Sequence, residues 1–80
     1  MNVLLSPKAD KYLRGLDALV SDRMKATLRK LAEEPPQGDI KALQGQDGYR
    51  LRVGKYRLLF VIDDGKIIVH DIGPRGQIYK

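Results

Sequence analysis

Apolar and polar residues alternate through the second half of the chain. In the stretch 48–65, GYRLRVGKYRLLFVIDDG, Tyr49, Leu51 and Val53 alternate with Arg50 and Arg52. Beyond Gly54-Lys55 the same period carries Tyr56, Leu58, Phe60 and Ile62 against Arg57, Leu59 and Val61. A period of two is the mark of strands. Val53-Gly54-Lys55-Tyr56 fits a two-residue hairpin loop with Gly first, and Asp63-Asp64-Gly65-Lys66 fits a type I′ loop. Strands are predicted at roughly 48–53, 55–63 and 66–72, with a short last one near 76–79.

The loops fix the register. With Gly54 and Lys55 as the first loop, Val53 faces Tyr56, Arg52 faces Arg57 and Arg50 faces Leu59. Arg50, Arg52 and Arg57 then share one face of the sheet, and the large apolar residues share the other. With Asp64 and Gly65 as the second loop, Ile62 faces Ile67, Phe60 faces Val69 and Leu59 faces His70. His70 and Ile72 would then join the arginine face, with Ile72 opposite Arg57. The predicted face is mixed: arginines and a histidine among Leu59, Val61, Ile68 and Ile72. That mixture suits a groove or a protein interface.

The first half follows a helical period. Asn2 to Leu5 reads as a first strand. Ser6 is a good N-cap and Pro7 a good first helical residue. Ala9, Leu13, Leu16 and Val20 repeat at helical spacing, which extends this helix to about Leu19 or Val20 despite Gly15. Ser21-Asp22 then opens a second helix, with Met24, Thr27, Leu28, Leu31 and Ala32 as its apolar stripe. Pro35-Pro36 stop it. So short a linker predicts an antiparallel helix hairpin. Residues 35–47 read as a connecting loop pinned by Ile40 and Leu43, with turns at Gly38 and Gly45. The expected fold is a single α+β domain over 1–80: an N-terminal strand and an antiparallel helix hairpin packed on a mainly antiparallel β-sheet.

Composition narrows the chemistry. The chain has 80 residues and a formal net charge of +5, with no Cys and a single His. There is thus no disulfide, no Cys nucleophile and no multi-His metal site. Asp63-Asp64-Gly65 is explained as a turn rather than a metal loop, since further ligands are missing. No glycine loop follows a strand and opens a helix, so no nucleotide or other small-molecule cofactor is expected. No apolar run is long enough to span a membrane, and the N-terminus lacks the features of a signal peptide. The expected compartment is the cytosol. Residues 1–47 carry eight Lys/Arg against seven Asp/Glu, whereas residues 48–80 carry seven against three. Basicity concentrated in one half points to a polyanion, nucleic acid before membrane surface.

Like charges opposite each other on a sheet repel. A solvated outer face is the ordinary setting for such residues; an anion-binding face is the alternative, because Arg grips phosphate in bidentate fashion and stays charged. Gly73-Pro74-Arg75-Gly76 forms a bend that brings Arg75 toward Arg57, and Tyr79 follows. Tyr79 could belong to the core, stack on a base or donate a proton. Arginines with a tyrosine can bind RNA phosphate and stabilise the charge of phosphodiester transfer. RNA carries its own nucleophile, the 2′-OH, so such a site can work without a metal.

The order β-α-α-β-β-β carries a resemblance, together with Gly48-Tyr49-Arg50-Leu51-Arg52-Val53, Tyr56-Arg57-Leu58-Leu59-Phe60, Ile62-Asp63-Asp64, Ile72-Gly73-Pro74-Arg75 and Ile78-Tyr79-Lys80. Lys41-Ala42-Leu43 adds a Lys-x-Leu before the first hairpin. The whole chain resembles the RelE/ParE superfamily of bacterial toxins, in its RelE branch. The resemblance implies a toxin of a type II toxin–antitoxin system: an endoribonuclease (mRNA interferase) that cuts mRNA in the ribosomal A site and is silenced by a cognate antitoxin protein. By position, Arg50 and Arg52 match two basic residues, one of which helps activate the 2′-OH. Arg57 matches the arginine that steadies the scissile phosphate. Arg75 matches the one that stabilises the transition state and leaving group, and Tyr79 the tyrosine that stacks on a base and supports proton transfer. Lys55, in the hairpin loop, joins Arg50, Arg52, Arg57 and Arg75 as an RNA-binding candidate.

The chain also departs from that pattern. Arginines stand where some members have lysines, and arginine is a poor general base because it stays protonated. Pro74 stands where members often have His or Lys, and the chain stops at Lys80, short of the C-terminal helix of some members. The alternatives are a ParE-type toxin that inhibits DNA gyrase, or a catalytically degenerate relative that binds RNA or antitoxin only.

Overall fold

The structure, a computed structural model, describes residues 1–75. Seven elements follow in order: β1 (Asn2–Leu5), α1 (Pro7–Arg14), α2 (Ala18–Leu31), β2 (Asp39–Ala42), β3 (Tyr49–Val53), β4 (Tyr56–Asp63) and β5 (Lys66–Pro74). The strands form one sheet in the order β1-β5-β4-β3-β2. β1 runs parallel to β5; the other neighbours are antiparallel. Two helices pack on one face of this sheet. Ala9 and Leu13 of α1 and Met24 and Leu31 of α2 are buried with Leu51, Val53, Leu58, Phe60, Ile67, Val69 and Ile72 from the strands. This is the expected α+β fold.

The first hairpin has the expected register, with Arg52 opposite Arg57 and Arg50 opposite Leu59. Gly54 and Gly65 both have positive φ, as the two loops demand. Three features differ from the expectation, and each has a local cause.

The first is the helix boundary. α1 stops at Arg14, and the Gly15 N–H donates to the Lys11 and Tyr12 carbonyls. The Asp17 carboxylate then accepts from the Val20 N–H at 3.0 Å and caps α2, the role expected of Ser21. Leu16 and Val20 kept helical spacing across the break, which hid it. Leu19, at the expected end of the first helix, is 84 % exposed.

The second lies in the connecting segment, which contains an edge strand. β2 pairs with β3, setting Asp39 opposite Arg52 and Lys41 opposite Arg50. Gly38 makes this possible. Its φ is +139°, and a Cβ there would lie 2.7 Å from Leu51 Cδ1. Gly38→Ala should therefore cost about 1–3 kcal/mol, through overpacking and backbone strain together. Urea denaturation measures this loss.

The third is a β-bulge. Phe60 faces Val69, but Leu59 faces Asp71, leaving His70 as the extra residue. Beyond it the faces of β5 exchange. Ile72 sits opposite Leu58 and is 2 % exposed, so it belongs to the core and not to the arginine face. Arg57 faces Gly73 instead. Ser6 ties this bulge to α1: its hydroxyl donates to the His70 carbonyl at 2.7 Å and accepts from the Ala9 N–H at 3.0 Å.

Candidate functional site: a cationic row on the open face of the sheet

The alternation of β3 and β4 sends Leu51, Val53, Leu58 and Phe60 into the core and Arg50, Arg52 and Arg57 to the opposite face. Across that face one row runs Asp39, Arg52, Arg57, Gly73, from the edge strand β2 to the end of β5. The bulge at His70 sets the end of this row. It brings the Gly73-Pro74-Arg75 corner, rather than Ile72, beside Arg57. The Arg75 N–H donates to the Lys55 carbonyl at 2.8 Å, which pins the corner to the first hairpin loop. Lys55, Arg57, Pro74 and Arg75 consequently line a single open depression of about 600 Å³.

The arginines are not equivalent. Arg75 is exposed and Arg57 half-buried. Arg50 is only 6 % exposed, although it had been expected to reach toward RNA. Its Nη1 donates to the Asp39 carbonyl at 3.2 Å and approaches the Asp39 carboxylate at 3.5 Å. Arg52 is intermediate, with its Nε 3.9 Å from the other Asp39 carboxylate oxygen. The chain thus brings Lys55, Arg57 and Arg75 together on one depression and ties Arg50 and Arg52 to Asp39. Tyr79 lies outside the described residues.

Asp39 is the site neighbour that sequence reasoning missed. A four-residue strand is too short for a period of two to stand out. The available signal was Gly38 followed by the alternation Asp39-Ile40-Lys41. Asp71 also lies on this face, opposite Leu59, and pairs with Lys8 of α1 at 3.3 Å. Among the described residues, no three His, Cys, Asp or Glu converge as metal ligands.

A second recess lies on the helical side of the hairpin. Val20 and Met24 of α2 face Val53, Gly54 and Tyr56 across about 500 Å³, with Arg23 and Lys55 also in its lining. The Arg23 guanidinium packs 3.4–3.5 Å from where a Gly54 Cβ would be. Tyr56 also meets Tyr12 edge-on, with ring centroids 6.4 Å apart. Burial, and secondarily the Tyr56 charge, raise the Tyr12 phenol above its ordinary pKa. No helix among the described residues is long and apolar enough to cross a membrane.

Comparison with known proteins agrees with this architecture. The family described as ParE toxin of the type II toxin–antitoxin system parDE matches residues 3–79. A relative from Methanocaldococcus jannaschii, assigned by name as toxin RelE1, is 34 % identical over 85 residues, covering 99 % of this chain and 94 % of its own. The fold superimposes on RelE in the archaeal RelE–RelB complex from Pyrococcus horikoshii OT3 with a TM-score of 0.80, at 27 % identity over 95 % of this chain and 96 % of that one. The intact E. coli RelBE toxin–antitoxin complex gives a TM-score of 0.77, at 25 % identity over 95 % and 98 % of the two chains. A family match across nearly the whole sequence, a relative above 30 % identity and the same two helices on a five-stranded sheet lead to one conclusion: this chain belongs to the RelE/ParE superfamily of type II toxins, in its RelE branch.

Proposed function

We propose that this chain is an endoribonuclease that cleaves mRNA on the ribosome by attack of the RNA 2′-OH, without a metal. The observation that carries this reading is the convergence of Lys55, Arg57 and Arg75 on one open depression. Attack of the 2′-oxygen on the adjacent phosphorus gathers negative charge on the phosphoryl oxygens. Fixed guanidiniums are suited to that charge, because they stay protonated and need no reorganisation as it develops. Arg57 steadies the scissile phosphate from the sheet, and Arg75 approaches from the corner to stabilise the transition state and leaving group. Lys55 attracts the backbone. Tyr79 completes the set as a base-stacking and proton-transfer residue. The ribosome supplies the mRNA held in extended form in its A site.

A cognate antitoxin protein binds the chain, as the complexed relatives suggest, and restrains this activity; the compartment in this reading is the cytoplasm. The recess between α2 and the first hairpin loop suits an amphipathic acidic segment of that partner. Val20, Met24 and Val53 offer apolar surface, and Arg23 and Lys55 offer charge.

A second reading is a ParE-type action on DNA gyrase, favoured by the ParE description of the matching family. Primer extension on a reporter mRNA translated in the presence of the purified toxin separates the two. Cuts within codons, dependent on ribosomes, are the expected result. Intact mRNA with gyrase-linked DNA damage would establish the second reading instead.

A further inference from the structure

Asp39 stands outside the arginine and tyrosine set discussed above, yet it touches two of its members. We propose that Asp39 is a positioning residue of the cationic row: it fixes Arg50 and draws Arg52 toward β2, away from Arg57. The inference rests on the endonuclease reading.

Three observations carry it. Arg50 is a buried charge, and a buried guanidinium is costly unless paired and hydrogen-bonded. Asp39 gives it both a backbone carbonyl, at 3.2 Å, and a carboxylate, at 3.5 Å. Next, Arg52 and Arg57 face each other directly across the β3–β4 ladder. Two cations so placed repel, and with no anchor Arg52 would sample several orientations. Asp39 sits directly across from Arg52 on its other side, and its second carboxylate oxygen lies 3.9 Å from Arg52 Nε. Arg52 Nε is buried with no hydrogen-bond partner among the described residues, so the carboxylate acts on it by charge alone and biases the side chain toward β2. Last, β2 is built to present this residue. Gly38, with its positive φ and its close approach to Leu51, brings the strand in at Asp39.

The consequence is a row whose charges are ordered before RNA arrives. Positioned cations favour the transition state, whereas disordered ones attract RNA equally well but stabilise that state less. Asp39→Asn removes the carboxylate charge and keeps the size. It should lower kcat for ribosome-dependent cleavage by about 10- to 100-fold, with KM unchanged or lower. Asp39→Glu should recover most of the loss. In a background that carries both Arg50→Met and Arg52→Ala, Asp39→Asn should have little further effect, because the three residues act as one unit. Arg50→Met removes the buried charge that Asp39 satisfies, so Asp39→Asn can also be read in that background if it unfolds the native chain.

The arginine guanidinium resonances of the free toxin give a readout that needs no catalysis. Arg50 should show resolved Nη signals, held by its Nη1 contacts to Asp39, that collapse in Asp39→Asn, and the Arg52 Nε–Hε signal should shift when the nearby carboxylate charge is removed. Unchanged signals, a native kcat, or losses that multiply with the Arg50→Met, Arg52→Ala pair would each overturn the proposal. A native chain that cuts no mRNA would defeat the endonuclease reading, while the resonances would still decide the position of Arg52.

Discussion

Arg57→Ala or Arg75→Ala should cut ribosome-dependent mRNA cleavage about 10²-fold or more, the usual scale for losing one preorganised charge-stabilising group. Both side chains line the same depression, and neither belongs to the apolar core. The loss should therefore appear in kcat, with a stability close to that of the native chain. The two variants should also be less than additive when combined, since both act on one developing charge. Lysine is expected to rescue either position only in part. It keeps the charge but not the planar fork that grips two phosphate oxygens. Single-turnover cleavage of a programmed ribosome complex measures all of these effects.

Phe60→Ala should have the opposite profile. Phe60 is 1 % exposed, and its ring stacks on Tyr49 at 5.4 Å. Truncating it should cost about 3–5 kcal/mol. Leu58→Ala, at a fully buried position, should cost about 2–5 kcal/mol. A domain of this size has only about 5–15 kcal/mol to lose. Chemical denaturation of Phe60→Ala, Leu58→Ala and Arg57→Ala side by side separates core from site. If Arg57→Ala unfolds as readily as Phe60→Ala, Arg57 is a structural residue and the division of faces fails.

That division was legible in the sequence because two loops of fixed length set the register. Gly54-Lys55 and Asp64-Gly65 leave one solution for most of the β4 pairing, and Arg52 and Arg57 follow from it. The bulge was not legible. No residue type marks His70 as an extra one; its position comes from Ser6, whose hydroxyl and N–H reach the His70 and Val69 carbonyls when α1 docks. A contact made across more than sixty positions of sequence cannot be read from local pattern. It matters for function, because the shift turns Ile72 into the core and brings the Arg75 corner to Arg57.

The helix break at Gly15 and the short strand at Asp39 failed for another reason. Both contradict a pattern stronger than themselves: a continuous apolar stripe in one case, and a segment rich in Gly and Pro in the other. The sign of the arginine face was therefore readable, but its internal order was not. That Arg50 is held and Arg75 exposed depends on Asp39 and on the corner, neither of which the alternation reveals.

The account stands most directly on the RNA 2′-hydroxyl. A reporter mRNA with a single 2′-deoxy nucleotide on the 5′ side of the cut phosphate can be translated with the toxin present. The account predicts that this mRNA resists cleavage at that bond. Its unmodified counterpart should yield a 2′,3′-cyclic phosphate, or the 3′-phosphate it opens to, and a 5′-hydroxyl. Normal cutting of the deoxy-substituted mRNA would contradict it.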